Sequence, residues 1–323
     1  MQPTILFGKT CAFSHQFYEY CIKSSNQILI ITDTNVAELY GNKLAKFLSA
    51  HLLCFKPGEK SKTRATKERL ENEMLKMGLN GSALLIGLGG GVVSDLAGFI
   101  AATYYRGIKL ILAPTTLMGM IDASHGGKNG VNTEFGKNLI GTIYHPSLVA
   151  IDPDFLKTLP EKEKINGQAE MIKYQLIANM ESDSIEEAIK LKYSIIQNNE
   201  RDKLNFGHTI GHALEVASNF SISHGKAIAI GMLAEAGLSL DPKEIYPLFS
   251  AFDLSLPESL SKEAVIQALY YDKKYENGKV NATLFHRPGF SYLKKIPLEA
   301  MEREVDRIFL PGGITSGYCS APL

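Results

Sequence analysis

The chain has 323 residues, 45% of them hydrophobic and 21% charged. That length divides into two domains of about 150 residues and buries full cores without disulfide or metal staples, and that composition excludes disorder. With 34 Lys and Arg against 34 Asp and Glu, there is no global field for nucleic acid or an anionic membrane, although a local cationic pocket for a small anion is still allowed.

The N-terminus reads MQPTILFGKTCAFSHQF. Its apolar run is too short for a signal peptide and lacks a basic flank. Cys11, Cys21, Cys54 and Cys319 form no C-x-x-C pair; this scatter implies reduced thiols in a cytoplasmic protein rather than a disulfide framework or a zinc ribbon. Gln27 to Thr32 (QILIIT) reads as a buried strand ending in Asp33, and Thr66 to Met77 as a helix. Ala83 to Leu88 (ALLIGL), Lys109 to Ala113 (stopped by Pro114) and Leu148 to Ile151 (stopped by Asp152-Pro153) read as further strands. Strand and helix alternating at this spacing predict a parallel sheet with crossover helices. The longest apolar stretch, Ser82 to Tyr105, is interrupted by glycines and Asp95, which excludes a membrane helix.

After Leu159-Pro160 the pattern changes. Helices are expected over Lys162 to Asn179, Ser184 to Gln197, Asn205 to Ser218, Lys226 to Ser239 and Glu299 to Phe309, with one strand at Val280 to Phe285. The expected organisation is an α/β domain over 1–160 followed by a mainly helical domain over 161–323. The Gly-, Ser- and Pro-rich tail from Pro311 to Leu323 reads as poorly ordered.

Two segments carry chemistry. Gly87 to Gly91 (GLGGG) closes a strand and opens a helix, so backbone N–H groups and a helix N-terminus meet where a phosphate could sit. The full G-x-G-x-x-G is absent, because Val92 stands where its third Gly would be, and the acidic strand end Asp33 precedes the loop instead of following it. A dinucleotide across the strand ends with Asp33 on a ribose, and a tight turn that needs glycine for conformation alone, are the two readings. The second segment, NFGHTIGHALE (205–215), puts His208 and His212 on one helix face. Thr209 follows the first His, so the protease pattern with Glu there is excluded. Ser223-His224-Gly225 opens the next helical run, and Glu170 and Lys173 share a face in QAEMIKY. One Glu and two His with an open position make a catalytic metal set; hydrogen-bonded core histidines are the alternative. Helical spacing alone selects His208 and His212.

These segments together resemble the 3-dehydroquinate synthase family of sugar phosphate cyclases. The resemblance rests on PGEKSK (57–62), GGGVVSDLAGFIAATYYRG (89–107), PTTLMGMIDAS (114–124), GGKNGVN (126–132), GKNLIG (136–141), FLKTLP (155–160), GQAEMIKY (167–174), NFGHTIGHALE (205–215) and HG (224–225), in family order. It implies a Rossmann-like NAD-binding α/β domain, a helical metal-binding domain, NAD used catalytically, and zinc or cobalt. It implies metal ligands Glu170, His208 and His224, with His212 on the substrate side, against the spacing argument. The implied nucleotide contacts are Asp33, Asn35, Glu59, Lys62, Gly90, Gly91, Val92, Asp95, Thr115, Thr116, Asp122, Lys128, Lys137, Asn138, Phe155 and Thr158.

By the same resemblance, Lys128, Lys173, Arg201, Asn205 and His212 are catalytic, and Arg106, Asn138, Lys192 and one of Lys273 or Lys274 bind the substrate. A substrate carrying a carboxylate and a phosphate needs such a cationic set. That substrate would be 3-deoxy-D-arabino-heptulosonate 7-phosphate, turned into 3-dehydroquinate and phosphate in the shikimate pathway. The residue matching Arg106 comes from a neighbouring subunit in this family, which implies a homodimer; no nucleic acid or membrane partner is expected.

Several positions depart from the family pattern: Ser94 for Gly, Ala123 for Ser, His125 for an aliphatic residue, and Lys226 for Glu. Lys226 lies two residues past His224, where a cation opposes both a helix N-terminus and a metal. It is expected to face solvent or pair with a carboxylate, and Lys226→Glu is expected to raise stability; an acidic partner already in place reverses that sign. The alternatives are another sugar phosphate cyclase or a metal-dependent NAD polyol dehydrogenase of the same fold. The latter pattern, GGG-x-x-x-D-x-x-K, places Lys where this chain has Gly98.

Overall fold

A computed structural model describes residues 3–134, 136–181, 183–271 and 278–310. Lys273, Lys274, Cys319 and the tail from Pro311 lie outside the described residues. The chain divides into two compact units, Met1–Lys164 and Ile165–Leu323.

The first unit contains β1 (Thr4–Phe7), β2 (Ile28–Asp33), β3 (His51–Phe55), β4 (Leu84–Gly89), β5 (Lys109–Pro114), β6 (Lys128–Thr133), β7 (Gly136–Ile143) and β8 (Leu148–Ile151). Six of them form one parallel sheet in the order β1-β8-β5-β4-β2-β3. Its central strands β4 and β8 are buried along their whole length, as expected for a parallel sheet covered on both faces. All four strands expected in this half are present. The edge strands β1 and β3 and the antiparallel hairpin β6–β7 were not expected.

The sheet order reverses between β2 and β4. From β2 the chain moves outward to β3, and from β4 it moves the other way to β5. Because Ile31 pairs with Gly87, the ends of these two strands, Asp33 and Gly89, lie side by side. The Thr32 hydroxyl donates to the Leu88 carbonyl at 2.6 Å and ties the ends together. Ligands of open α/β sheets bind at this kind of reversal, outside the carboxyl ends of the strands.

The second unit is built on helices Glu161–Ala178, Ile185–Gln197, His208–Ala217, His224–Ala236, Lys262–Tyr271 and Leu298–Phe309, with an antiparallel hairpin of β9 (Lys279–Arg287) and β10 (Phe290–Pro297). Ala227 to Ala236 are all buried, so the His224–Ala236 helix is the core of this unit. It packs against His208–Ala217 through glycines. A Cβ on Gly211 would fall 2.7 Å from the Ile228 side chain and 3.1 Å from the Ala227 carbonyl. This backbone contact sets how closely the two helices approach. Among the described residues, no helix is long and apolar enough to cross a membrane.

Candidate functional site

Three helices of the second unit bring Glu170, His208 and His224 together. One ligand atom from each lies within 4.8 Å of the others. His208 Nε2 is 3.3 Å and His224 Nε2 3.5 Å from the same Glu170 oxygen, Oε1. The other oxygen, Oε2, accepts a hydrogen bond from Lys173 Nζ, three residues along the same helix. Glu170 and Lys173 are each 1% exposed.

Each histidine is held through its other nitrogen. His208 Nδ1 lies 3.0 Å from the Phe206 carbonyl, and His224 Nδ1 lies 3.4 Å from Glu215 Oε2. With Nδ1 as donor in both rings, both Nε2 lone pairs face the Glu170 oxygen, the tautomer that metal-binding histidines adopt. His212 supplies no atom to this converging group, although its ring lies 5.3 Å from that of His208, nearer than the 5.7 Å between His208 and His224. The i, i+4 pair selected by spacing is therefore close together, but the converging nitrogens and carboxylate are Glu170, His208 and His224.

The electrostatics of this group favour a cation. Burial favours neutral Glu170, yet the charges of Lys173 and His208 prevail and hold its carboxyl well below the usual range. Burial and Lys173 push the His208 ring down. Burial also opposes protonation of His224, but hydrogen bonds to Glu170 and Glu215 push it up to about 9. Two carboxylates against one ammonium leave a net negative pocket when both rings are neutral. Two imidazole nitrogens and one carboxylate oxygen are a donor set suited to zinc or cobalt, with a coordination position left open.

Three further expected site residues, Lys192, Arg201 and Asn205, lie on the elements that lead into the His208–Ala217 helix. Arg201 and Asn205 bound the helical turn leading into His208–Ala217, and the Ile185–Gln197 helix carrying buried Lys192 packs on that turn.

In the first unit, Gly90 is the N-cap of the Gly91–Thr103 helix and carries no capping side chain. A Cβ at Gly90 would press on Thr116 Cγ2 at 3.0 Å. The Thr116 hydroxyl accepts the Gly119 N–H at 3.0 Å, closing the turn after β5. Lys62, 3% exposed, donates to Asp95 and, at 2.5 Å, to the Asn138 side-chain oxygen. Burial pushes the Asp95 carboxyl up; Lys62 opposes this, while Glu59 and Asp122 add to it. Glu59 accepts from Asn132 at 2.7 Å. Glu59, Lys62, Asp95, Asp122 and Asn138 thus form one charged cluster beside the glycine loop.

Asp33 makes a contact that the ribose reading did not foresee. Its Oδ1 accepts the N–H groups of Asn35 and Val36 at 2.9 and 3.1 Å, capping a short helical turn. Phe155 packs against Tyr40 with the rings tilted by 57° and 4.7 Å between centroids, and the Tyr40 hydroxyl meets Thr158 Oγ1 at 2.7 Å. Lys128 and Asn138 are exposed on the β6–β7 hairpin and Lys137 is partly exposed. Arg106 is exposed in a turn where both it and Tyr105 have left-handed backbones, with φ of 65° and 48°. Glu215, Glu235, Asn132 and Tyr40 were missed. Glu235, Asn132 and Tyr40 act on residues 25 or more positions away, and Glu215 on one nine positions away in the next helix, so helical spacing marks none of them.

Two family profiles match the chain: one described as 3-dehydroquinate synthase N-terminal over residues 52–166, and one as 3-dehydroquinate synthase C-terminal over 151–275. The chain belongs to the 3-dehydroquinate synthase family. The 3-dehydroquinate synthase of Synechococcus sp. is 36% identical over 334 aligned residues, covering 90% of this chain and 91% of that one. That of Pyrococcus furiosus is 37% identical, covering 86% and 93%. A solved 2-deoxy-scyllo-inosose synthase, complexed with carbaglucose-6-phosphate, NAD+ and Co2+, matches with a TM-score of 0.84 at 25% identity, covering 93% of this chain and 95% of that one. A probable glycerol dehydrogenase from Sinorhizobium meliloti matches with a TM-score of 0.65 at 14% identity over 95% and 96%; it shares the fold alone.

Proposed function

We propose that the protein is a 3-dehydroquinate synthase, converting 3-deoxy-D-arabino-heptulosonate 7-phosphate to 3-dehydroquinate and phosphate in the shikimate pathway. The observation that carries this reading is the match of one family to both halves of a chain whose Glu170, His208 and His224 converge. We assign nucleotide binding to residues 1–160 and metal and substrate binding to 161–323.

Glu170 Oε1 and the two Nε2 atoms would hold a zinc or cobalt ion. The Gly90–Val92 loop with Asp33, Asn35, Glu59, Lys62, Asp95, Thr115, Thr116, Asp122, Lys128, Lys137, Asn138, Phe155 and Thr158 would hold NAD. When bound, the two groups supply hydride acceptance and return, and Lewis-acid polarisation of the oxygen at the oxidised carbon.

The protein's own residues orient and neutralise. Lys173 fixes Glu170 so that one oxygen faces the histidines. Lys128, Lys192, Arg201 and one of Lys273 or Lys274 supply the positive charge that a carboxylate and a departing phosphate require. Asn138 and Asn205 add hydrogen bonds, and His212, one turn from His208, faces the substrate. Oxidation next to the C6–H bond acidifies it. That proton passes to an oxygen of the substrate's own phosphate, the C–H electron pair forms the new double bond and expels the phosphate, and the cations stabilise the anion released.

Arg106 would complete the site of a second copy, and the exposed turn that carries it supports an outward reach. Mixing Arg106→Ala with Lys173→Ala subunits tests this. Each mixed dimer then has one intact site, so about a quarter of wild-type activity should return from two inactive parents; no recovery rejects the shared site. The free described thiols support a cytoplasmic location. The experiment that tests the function is product identification by mass spectrometry with trace NAD. Carbocycle and phosphate should form in equal amounts, and stoichiometric NADH would point to the dehydrogenase alternative.

A further inference from the structure

The two histidine-bearing helices exchange buried carboxylates. Glu215, on the His208–Ala217 helix, is 3% exposed and accepts from His224 Nδ1 at 3.4 Å. Glu235, on the His224–Ala236 helix, is 2% exposed and reaches back to the start of the other helix. There its Oε2 accepts the Gly207 N–H at 2.8 Å and its Oε1 the Ile210 N–H at 3.1 Å.

That second contact replaces a missing cap. The His208–Ala217 helix begins on Gly207, whose φ of 76° turns the chain into the helix but which has no side chain to satisfy the first N–H groups. A helix start without such a partner frays, and His208 is its first residue. Burying a carboxylate costs free energy, and the simplest compensation here is the pair of N–H groups it receives. A third tie closes the set: Asn166, on the helix carrying Glu170, accepts the Gly225 N–H at 3.2 Å at the start of the His224 helix. Each of the three helices that supply the converging ligand atoms is thus tied to a neighbour by a polar side chain.

We propose that Glu215 and Glu235 are positioning residues for the metal site. Glu215 fixes the tautomer and orientation of His224, and Glu235 fixes the first turn from which His208 projects. Neither touches the substrate or the ion. The inference rests on the metal reading given above.

Metal-free wild type, Glu215→Ala, Glu235→Ala, Glu215→Gln and Glu235→Gln are titrated with Zn2+ against a chromophoric chelator. Their Co2+ forms are compared by visible absorption. Wild type should load one ion per chain. The alanine variants should raise the zinc Kd about 10–100-fold and change the Co2+ bands. Glu215→Gln keeps an oxygen acceptor for Nδ1–H and should recover most of the affinity. Glu235→Gln turns an amide N–H toward one backbone N–H and should recover less. A general packing role would lower the melting temperature without moving the Co2+ bands of the folded fraction. Wild-type Kd and spectrum in the folded alanine variants overturn the proposal. If those variants do not fold, wild-type Kd and spectrum in Glu235→Gln overturn it instead. A wild-type chain that loads no ion rejects the metal reading itself, and this inference with it.

Discussion

Lys226 Nζ lies 2.9 Å from Asp253 Oδ2. The cation that departs from the family pattern two residues after His224 therefore already has its carboxylate. The Ser255 hydroxyl and Lys226 together pull the Asp253 carboxyl down to about 2. The expectation that Lys226→Glu raises stability is corrected: the new Glu would face Asp253, and like-charge repulsion outweighs the better match to the helix end. Lys226→Glu should lower the melting temperature by a few degrees, corresponding to about 1 kcal/mol at a half-exposed pair. The depressed pKa fixes the pH dependence. The contribution is complete above the unfolded carboxyl's value near 4 and disappears as pH falls through about 2. Scanning calorimetry of both forms at pH 7 checks the sign, and an unchanged or higher melting temperature for the variant refutes it.

His212 and His224 should separate when each is changed to alanine. His224 Nε2 belongs to the converging ligand group and His212 does not. His224→Ala should therefore lose bound zinc and activity together. His212→Ala should keep its zinc and lose turnover by about 100-fold or more, the scale for a positioned proton-transferring group. Elemental analysis of the purified variants decides the matter. A zinc-free His212→Ala beside a fully loaded His224→Ala would reverse the assignment.

What could be read from the sequence follows the range of the interactions. Ile28–Asp33 and Leu84–Gly89 were legible because strands buried on both faces are continuous apolar runs. The hairpin of Lys128–Thr133 and Gly136–Ile143 was not, because it is polar and glycine-rich and its exposure follows no clean alternation. His51–Phe55 is a short edge strand whose pairing comes from β2, not from its own pattern. In the site, helical spacing pointed to His208 with His212. The residue whose nitrogen converges with that of His208 on Glu170, His224, arrives from the next helix, which Gly211 lets pack closely. The family resemblance supplied that pairing; local periodicity did not. Glu235 illustrates the limit, since nothing near it in sequence marks the helix start that it caps.

Cys11 and Cys21 should be inert in the folded protein. Burial, with the Asp152 charge, pushes the Cys11 thiol up to about 12, and burial alone does the same to Cys21. Attack on a disulfide reagent requires thiolate, which is scarce at pH 8 for such groups. In a Cys319→Ser background, a chromogenic disulfide should react with at most one thiol, Cys54, until denaturant is added. It should then count three. Two or more rapid reactions in the folded state would contradict the burial of these residues.

Gly98 should tolerate no side chain, and this bears on the dehydrogenase alternative, whose pattern calls for Lys there. A Cβ at Gly98 would lie 2.8 Å from Asn129 Nδ2 and 2.9 Å from its Cβ and Cγ. Asn129 cannot easily turn away. Its amide donates to the carbonyls of Gly127 at 2.9 Å and Tyr144 at 3.3 Å, and its oxygen accepts from Thr142 at 2.6 Å. A substitution at 98 must push the Gly91–Thr103 helix away from the hairpin that carries Lys128, Lys137 and Asn138. Gly98→Ala should cost about 1–3 kcal/mol, typical of overpacking, and Gly98→Lys more. Combining Gly98→Ala with Asn129→Gly should recover part of the loss, so the double-mutant cycle should show coupling of about 0.5 kcal/mol or more. Denaturant unfolding of the single and double variants measures each corner. A Gly98→Ala protein as stable as wild type, or additive effects at the two positions, would mean that the helix and hairpin have room to spare and that this contact does not exclude the dehydrogenase lysine.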